Sequence, residues 1–433
     1  MRVGVSAGKG KGRWATAAAM GGVLVAGTAG CAGTKVVRGD LLELAVSPAQ
    51  SGGAAVPPDR PISVRAKNGT VQNVTVTSAG EQMIGEASPD RTSWRSRWTL
   101  TPSADYQVTV TGLGRDGRTR TITSKFRTAK AGPSLASSLE APNNRETVGV
   151  GMPVILNFAS PVSDKAAVER GLEIQSSKPA EGAWHWFGDQ TVVFRTRQYW
   201  PAHTDVTFRT HLAGVRVAKN LWGGKNQTVR FRVGDEHISK ASAKSHYMVV
   251  MKNGRKVRRI PVSMGMGGSR EHTTTNGVHL TMEKENPVVM DSSTTGCGPG
   301  CPGYYRQTVY SAVRISNSGE YVHAAPWSVG SQGNSNVSHG CVNASDENAA
   351  WFYRFSYRGD PYTITGTSRE LEPDNGWGYW QLSWTKWMKG SALNKSSQTG
   401  PSAGAPAAEA GANAGGGGAP AGSEAGAVSR PPA

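Results

Sequence analysis

Cys341 stands directly after His339-Gly340, with a second histidine, His323, eighteen positions upstream. A thiol becomes a nucleophile when a nearby base or cation draws off its proton, and the thiolate then attacks carbonyl carbon. The flanking residues, from Tyr321-Val-His-Ala-Ala-Pro-Trp327 to Ser338-His-Gly-Cys-Val-Asn-Ala-Ser345, are rich in Gly, Ser and Asn. Small residues let backbone N–H groups approach a developing oxyanion. The chemistry these residues suit is acyl transfer through a cysteine. Two other uses stand beside it. An inert buried thiol would need neither the histidines nor so many small neighbours. A zinc site would draw on His323, His339, Cys341 and the pair Cys297 and Cys301, but structural zinc pairs recur and this pair is isolated.

The remaining cysteines point to a compartment. Arg2, Lys9, Lys11 and Arg13 precede an apolar run from Ala15 to Ala29, too short to span a bilayer well and flanked like a signal peptide. The run closes on Gly27-Thr28-Ala29-Gly30-Cys31, small residues before a cysteine, as in a lipoprotein signal that leaves Cys31 lipid-modified. Thr28 stands where Leu is usual, so cleavage without lipidation is the second reading. Either route exports the chain, and export favours a disulfide between Cys297 and Cys301. The net charge of +17 suits a polyanionic neighbourhood such as an anionic membrane face or wall polymer. No basic run interleaved with aromatics is present, which argues against nucleic acid.

The elements that must position the motif are mostly strands. After a signal at 1–31 and a linker at 32–58, residues 59–130 hold short alternating runs such as Val71–Thr77 and Tyr106–Thr111, separated by turn signals. Residues 131–236 repeat the pattern. Two immunoglobulin-like β-sandwiches in tandem are expected, without the inter-sheet cysteine pair of antibody domains. A third unit at 237–366 opens with a hairpin turned at Asn253-Gly254. Met264-Gly-Met-Gly-Gly268 reads as a flexible approach to the next strands. A long loop from Asp291 to Thr308 carries Cys297, Cys301, Tyr304 and Tyr305, and long loops in compact domains are often lids. Ser345 is an N-cap for a helix running to Tyr357. Residues 367–395 are Trp-rich, with Trp380, Trp384 and Trp387 at helical spacing, and should pack on the third unit. Residues 396–433, nearly all Ala, Gly, Pro and Ser, should be disordered.

The string His323-x14-Ser338-His339-Gly340-Cys341-Val342-Asn343 resembles the signature of the YkuD-type L,D-transpeptidases. Val289-Val-Met-Asp-Ser-Ser-Thr294, Val322-His-Ala-Ala-Pro-Trp-Ser-Val-Gly330 and the Trp-rich segment are similar to the actinobacterial multidomain form, a lipoprotein with two Ig-like modules. The resemblance implies a mainly β chain ending in a catalytic domain built around two mixed sheets. It implies that Cys341 is the nucleophile and His323 its base. Backbone N–H groups of His339, Gly340 and Cys341 would form the oxyanion hole, with Ser338 and Asn343 shaping the pocket. Tyr305, Met290 and Trp327 would contact substrate. The implied reaction releases D-Ala from a tetrapeptide stem through a thioester and forms a 3→3 cross-link with a second stem. It needs no metal and no organic cofactor. Ala324 departs from the Ser found after the base in related enzymes. It harms the base only if a hydroxyl, rather than a backbone carbonyl, orients His323. That leaves an impaired wall-binding protein, and a carboxypeptidase or protein-attaching transferase, as alternatives.

Overall fold

The computed structural model describes residues 41–48 and 55–401. Cys31, the signal and the tail beyond Pro401 lie outside the described residues.

The alternating runs after Ile62 fold as the first sandwich. One sheet holds Glu43–Ser47, Ser63–Lys67, Ser93–Ser96 and Gly85–Ala87, and the other Glu81–Met83, Gly69–Ser78, Asp105–Gly114 and Thr119–Arg127. Ile62, Val64, Val76, Leu100, Val108 and Val110 are its solvent-free core. Part of the expected linker belongs here. Glu43–Ser47 pairs antiparallel with Ser63–Lys67, and Val56 is buried in the core. Leu42, Leu44 and Val46 alternate as a strand requires, a period hidden beside the Pro- and Gly-rich stretch.

The second sandwich packs Ser137–Ala141, Val154–Phe158, Thr191–Thr196 and Glu181–Phe187 against Thr147–Val148, Gln227–Val233, Asp205–Thr210 and Leu172–Ser176. Trp184, Phe194, Trp200, Phe208 and Phe231 fill it, with Trp184 edge-on to Phe194 at 5.2 Å. These aromatics are core, the use that their area favours.

The Trp-rich segment departs from expectation. Its main seat is the second sandwich. Arg195, buried on the strand Thr191–Thr196, lies against the faces of Trp380 (4.5 Å) and Trp387 (4.6 Å) and donates to the Leu382 carbonyl at 2.8 Å. Burial pushes its guanidinium down to about 10. The buried Glu169 carboxylate accepts from Ser391 Oγ (2.7 Å), Ala392 N (2.6 Å) and Trp186 Nε1 (2.8 Å). Ser397–Gln398 then adds a short strand beside Glu181–Gly182, so ordered chain continues past residue 396. Two buried charges on the second sandwich find most of their partners on this segment, which is why it goes there. Only its first part, through Gln381 Oε1 accepting from Val278 N at 2.8 Å, holds the third unit.

In the third unit, Tyr247–Lys252 and Arg255–Pro261 form the expected hairpin, with Asn253 and Gly254 both at positive φ. They extend a six-stranded mixed sheet in the order Arg255–Pro261, Tyr247–Lys252, His237–Ser242, Pro361–Thr365, Thr275–Leu280, Arg369–Glu370. A four-stranded sheet of Lys284–Glu285, Ala312–Arg314, Tyr321–Ala324 and Val342–Ala344 packs on it. The helix Asp346–Phe355 begins at Ser345, whose side chain accepts from Asn348 N. It stops two residues short of the expected Tyr357, because Ser356 turns extended and returns its hydroxyl to Phe352 O at 2.5 Å.

The terminal aromatic clamp is a stability element. Trp387→Ala empties a fully buried indole site and removes its bond to Ala183 O. It should cost about 3–5 kcal/mol, read as a lowered midpoint in denaturant unfolding of the whole chain.

Candidate active site

Tyr321–Ala324 and Val342–Ala344 are neighbouring parallel strands, with His323 opposite Asn343. Cys341, one residue before its strand, therefore falls beside Tyr321, and His323 lies diagonally across on the same face. The half-buried Cys341 thiol donates to Gly319 O at 3.6 Å and lies 3.9 Å from Met290 Sδ. The Tyr321 backbone N–H points at the sulfur and favours thiolate, but burial dominates and pushes the thiol up to about 12.

His323 is buried. Its Nδ1–H donates to the Ala324 carbonyl at 2.8 Å, which leaves Nε2 as the basic nitrogen. Burial lowers its pKa below the ordinary histidine value, against the pull of Ala324 O and the Asn343 side chain. Asn343 is itself fixed by donating to Ser328 Oγ at 3.1 Å, which in turn donates to Ala325 O. A backbone carbonyl orients the base, so Ala at position 324 takes nothing from it.

The turn before the nucleophile is tied from both sides. Ser338 Oγ donates to Cys341 O (2.6 Å) and accepts from Gly340 N (3.1 Å). Gly340 N–H is thus engaged, whereas among the described residues the N–H groups of His339 and Cys341 have no intramolecular acceptor. Gly340 sits at φ +126°, where a side chain would be strained. Thr274 Oγ1 donates to Gly340 O at 2.7 Å and accepts from Gly265 N at 2.8 Å.

Met264–Gly268 is therefore no flexible approach. Ser263 bridges Asn343, Gly265 bridges Ser338, and Met264 is fully buried. A Cβ at Gly265 would fall 2.3 Å from His272 O, so the glycine serves close packing.

Cys341 opens onto a cavity of about 640 Å³. Met290, Tyr305, His339 and Gly340 line it. The Tyr305 and His339 rings lie 4.9 Å apart, while Tyr304 is exposed. The loop over the cavity is more ordered than expected: Val288–Asp291 and Arg306–Val309 form a hairpin whose tip is closed by a Cys297–Cys301 disulfide. That bond takes both sulfurs out of any zinc set. Trp327 is 54% exposed, 6.1 Å from the His323 ring, and does not line this cavity.

One cluster had no signal in the motif. Glu320, buried in the cavity wall, accepts from Thr275 N (2.6 Å) and Thr275 Oγ1 (2.6 Å), and Thr275 Oγ1 meets the buried His279 Nε2 at 2.7 Å. Glu320 opposes the thiolate electrostatically, yet it fixes the strand whose Thr274 holds Gly340. A Glu between Gly319 and Tyr321 reads as an ordinary surface residue until the sheets are paired.

A half-buried thiol on the same face as a buried imidazole, with two unengaged N–H donors beside it, is equipped for acyl transfer. The L,D-transpeptidase catalytic domain matches residues 236–364, and the bacterial Ig domain residues 53–216. L,D-transpeptidase 2 of Mycobacterium tuberculosis is 34% identical over 90% of this chain and 99% of its own. L,D-transpeptidase 5 of the same species is 36% identical over 84% and 79%, and L,D-transpeptidase 1 is 38% identical over 54% and 86%. The chain belongs to the L,D-transpeptidase family.

Raised thiol and lowered imidazole both favour a neutral resting pair over an ion pair. Iodoacetamide alkylation of Cys341 in the free enzyme should therefore keep rising with pH, about tenfold per unit between roughly pH 7 and 10. A plateau below roughly pH 8 would show a preformed thiolate instead. Gly340→Ala should slow acylation by at least about tenfold through strain in the turn, measured as burst-phase rate.

Proposed function

We propose that this enzyme makes 3→3 cross-links between peptidoglycan stems through a thioester on Cys341. His323 Nε2 takes the thiol proton as sulfur attacks the carbonyl of the diamino acid at position three. The unengaged Cys341 N–H, with that of His339, receives the developing oxyanion. His323 returns the proton to the amine of the departing D-Ala. The side-chain amine of a second stem then attacks the thioester, giving up a proton to His323 and regenerating the thiol. The observation that supports this is the Nδ1–H bond of His323 to Ala324 O, which leaves Nε2 to act as the base without a hydroxyl at position 324.

The basic leader and Cys31 support export and a lipid anchor on the outer membrane face, with two sandwiches lifting the catalytic unit toward the wall. Positive net charge suits anionic wall polymers. Cys31→Ser should release the protein into the medium faster than wild type if the anchor is lipid.

With a tetrapeptide donor, intact mass should show a stem adduct on wild type and none on Cys341→Ala. His323→Ala should acylate about 10²–10⁴-fold more slowly. A product with only hydrolysed stems and no 3→3 dimer would overturn the cross-linking assignment in favour of carboxypeptidase action.

A further inference from the structure

We propose that Arg369 forms a carboxylate-binding subsite for the stem peptide, at the junction of the catalytic cavity with a neighbouring groove. The proposal rests on the peptidoglycan reading above. Arg369 and Arg270 line both the cavity that holds Cys341 and a second, open groove of about 750 Å³. The two spaces meet at these side chains.

The sheet fixes Arg369 in place. Its short strand runs parallel to Thr275–Leu280, with Arg369 opposite Thr275. Thr275 is the residue bound to Glu320 in the wall beside the nucleophile. A group on this edge strand is therefore held at constant distance from Cys341, as substrate recognition requires.

The bonding inventory leaves the guanidinium underused. Nη1 donates to Arg270 O at 3.2 Å. Nη2 is 3.9 Å from Glu372 Oε2, beyond hydrogen-bond length. Nε is buried with no acceptor. Glu372 is already engaged by Arg270 and by Asn375 Nδ2 at 3.1 Å, and Glu370 by Asn276. Two guanidinium groups thus share one carboxylate, and the Nη2–H groups of Arg369, outside the buried Nε, are free for another. A guanidinium N–H bonds a carboxylate with charge assistance, and a stem peptide carries carboxylates next to the bond that reacts.

Two stems offer that group: the terminal D-Ala carboxylate of the donor and a carboxylate of the acceptor. The test compares wild type, Arg369→Gln and Arg369→Lys with free-acid substrates, then with donor or acceptor amidated in turn. Arg369→Gln should raise the KM of one free-acid substrate about tenfold or more, with kcat little changed. Amidating the carboxylate that Arg369 holds should make wild type and variant alike, which identifies its source, and Arg369→Lys should recover part of the loss. A loss equal for acid and amide, or no loss, overturns the subsite, since a structural role cannot distinguish the two. Binding of free-acid tetrapeptide to Cys341→Ala protein, read by calorimetry with and without Arg369→Gln, covers the donor arm without turnover. If wild type joins no stems at all, the cross-linking reading fails, while weaker binding in the variant would still support the subsite.

Discussion

The parallel pairing of Tyr321–Ala324 with Val342–Ala344 is the constraint from which the site follows. Parallel neighbours cannot be joined by a tight turn; the chain must leave one end of the first strand and return to the start of the second. The residues between His323 and Ser338 are that return path, here built from a single 3₁₀ turn at Pro326–Ser328 and the hydrogen-bonded turns that follow it. The spacing in the sequence motif is thus the length of a crossover. Register does the rest. Because side chains alternate, His323 and Cys341 share a face only with His323 opposite Asn343; a slip of one residue would turn the base away.

Once aligned, the two groups are kept neutral by burial. Burial raises the Cys341 thiol and lowers the His323 imidazole, so the arrangement gives up a standing thiolate. Glu320 belongs to the same compromise. Its charge disfavours thiolate, but its bonds to Thr275 and the bond from Thr274 to Gly340 O hold the turn that presents Cys341 N–H. The geometry of the turn is favoured over thiolate at Cys341.

What could be read from the residues was local. Asn253-Gly254 states its turn, Ser345 its cap, and His323-x14-Ser338-His339-Gly340-Cys341 its chemistry, because each works within a few residues or one crossover. What escaped depended on distant pairing. Glu43–Ser47 is a strand because Ser63–Lys67 lies beside it. Met264–Gly268 looks loose in glycine content, yet Gly265 is there so that the backbone can approach His272 and Thr274. Trp380, Trp384 and Trp387 announced burial but not against what. Their destination was set by Arg195 and Glu169, two charges far upstream that a linear reading takes for solvated ones.

Those two charges also distinguish the junctions between units. The first and second sandwiches meet through polar and stacked contacts: Trp98 on His211 at 3.9 Å, Arg216 with Asp59 at 3.3 Å, Thr99 Oγ1 on Ala213 O. The second sandwich and the catalytic unit are joined by backbone bonds from Gly149 N to Arg358 O and Gly151 N to Gly359 O. Leu280, Met282 and Trp377 lie in the sandwich's own core. The terminal segment closes the joint by crossing from Gln381 on the catalytic sheet to Arg195 and Glu169 on the sandwich. Polar junctions permit relative motion and apolar, backbone-bonded ones oppose it. The second sandwich is therefore better understood as part of the catalytic body than as a spacer, and relative motion falls to the joint between the two sandwiches.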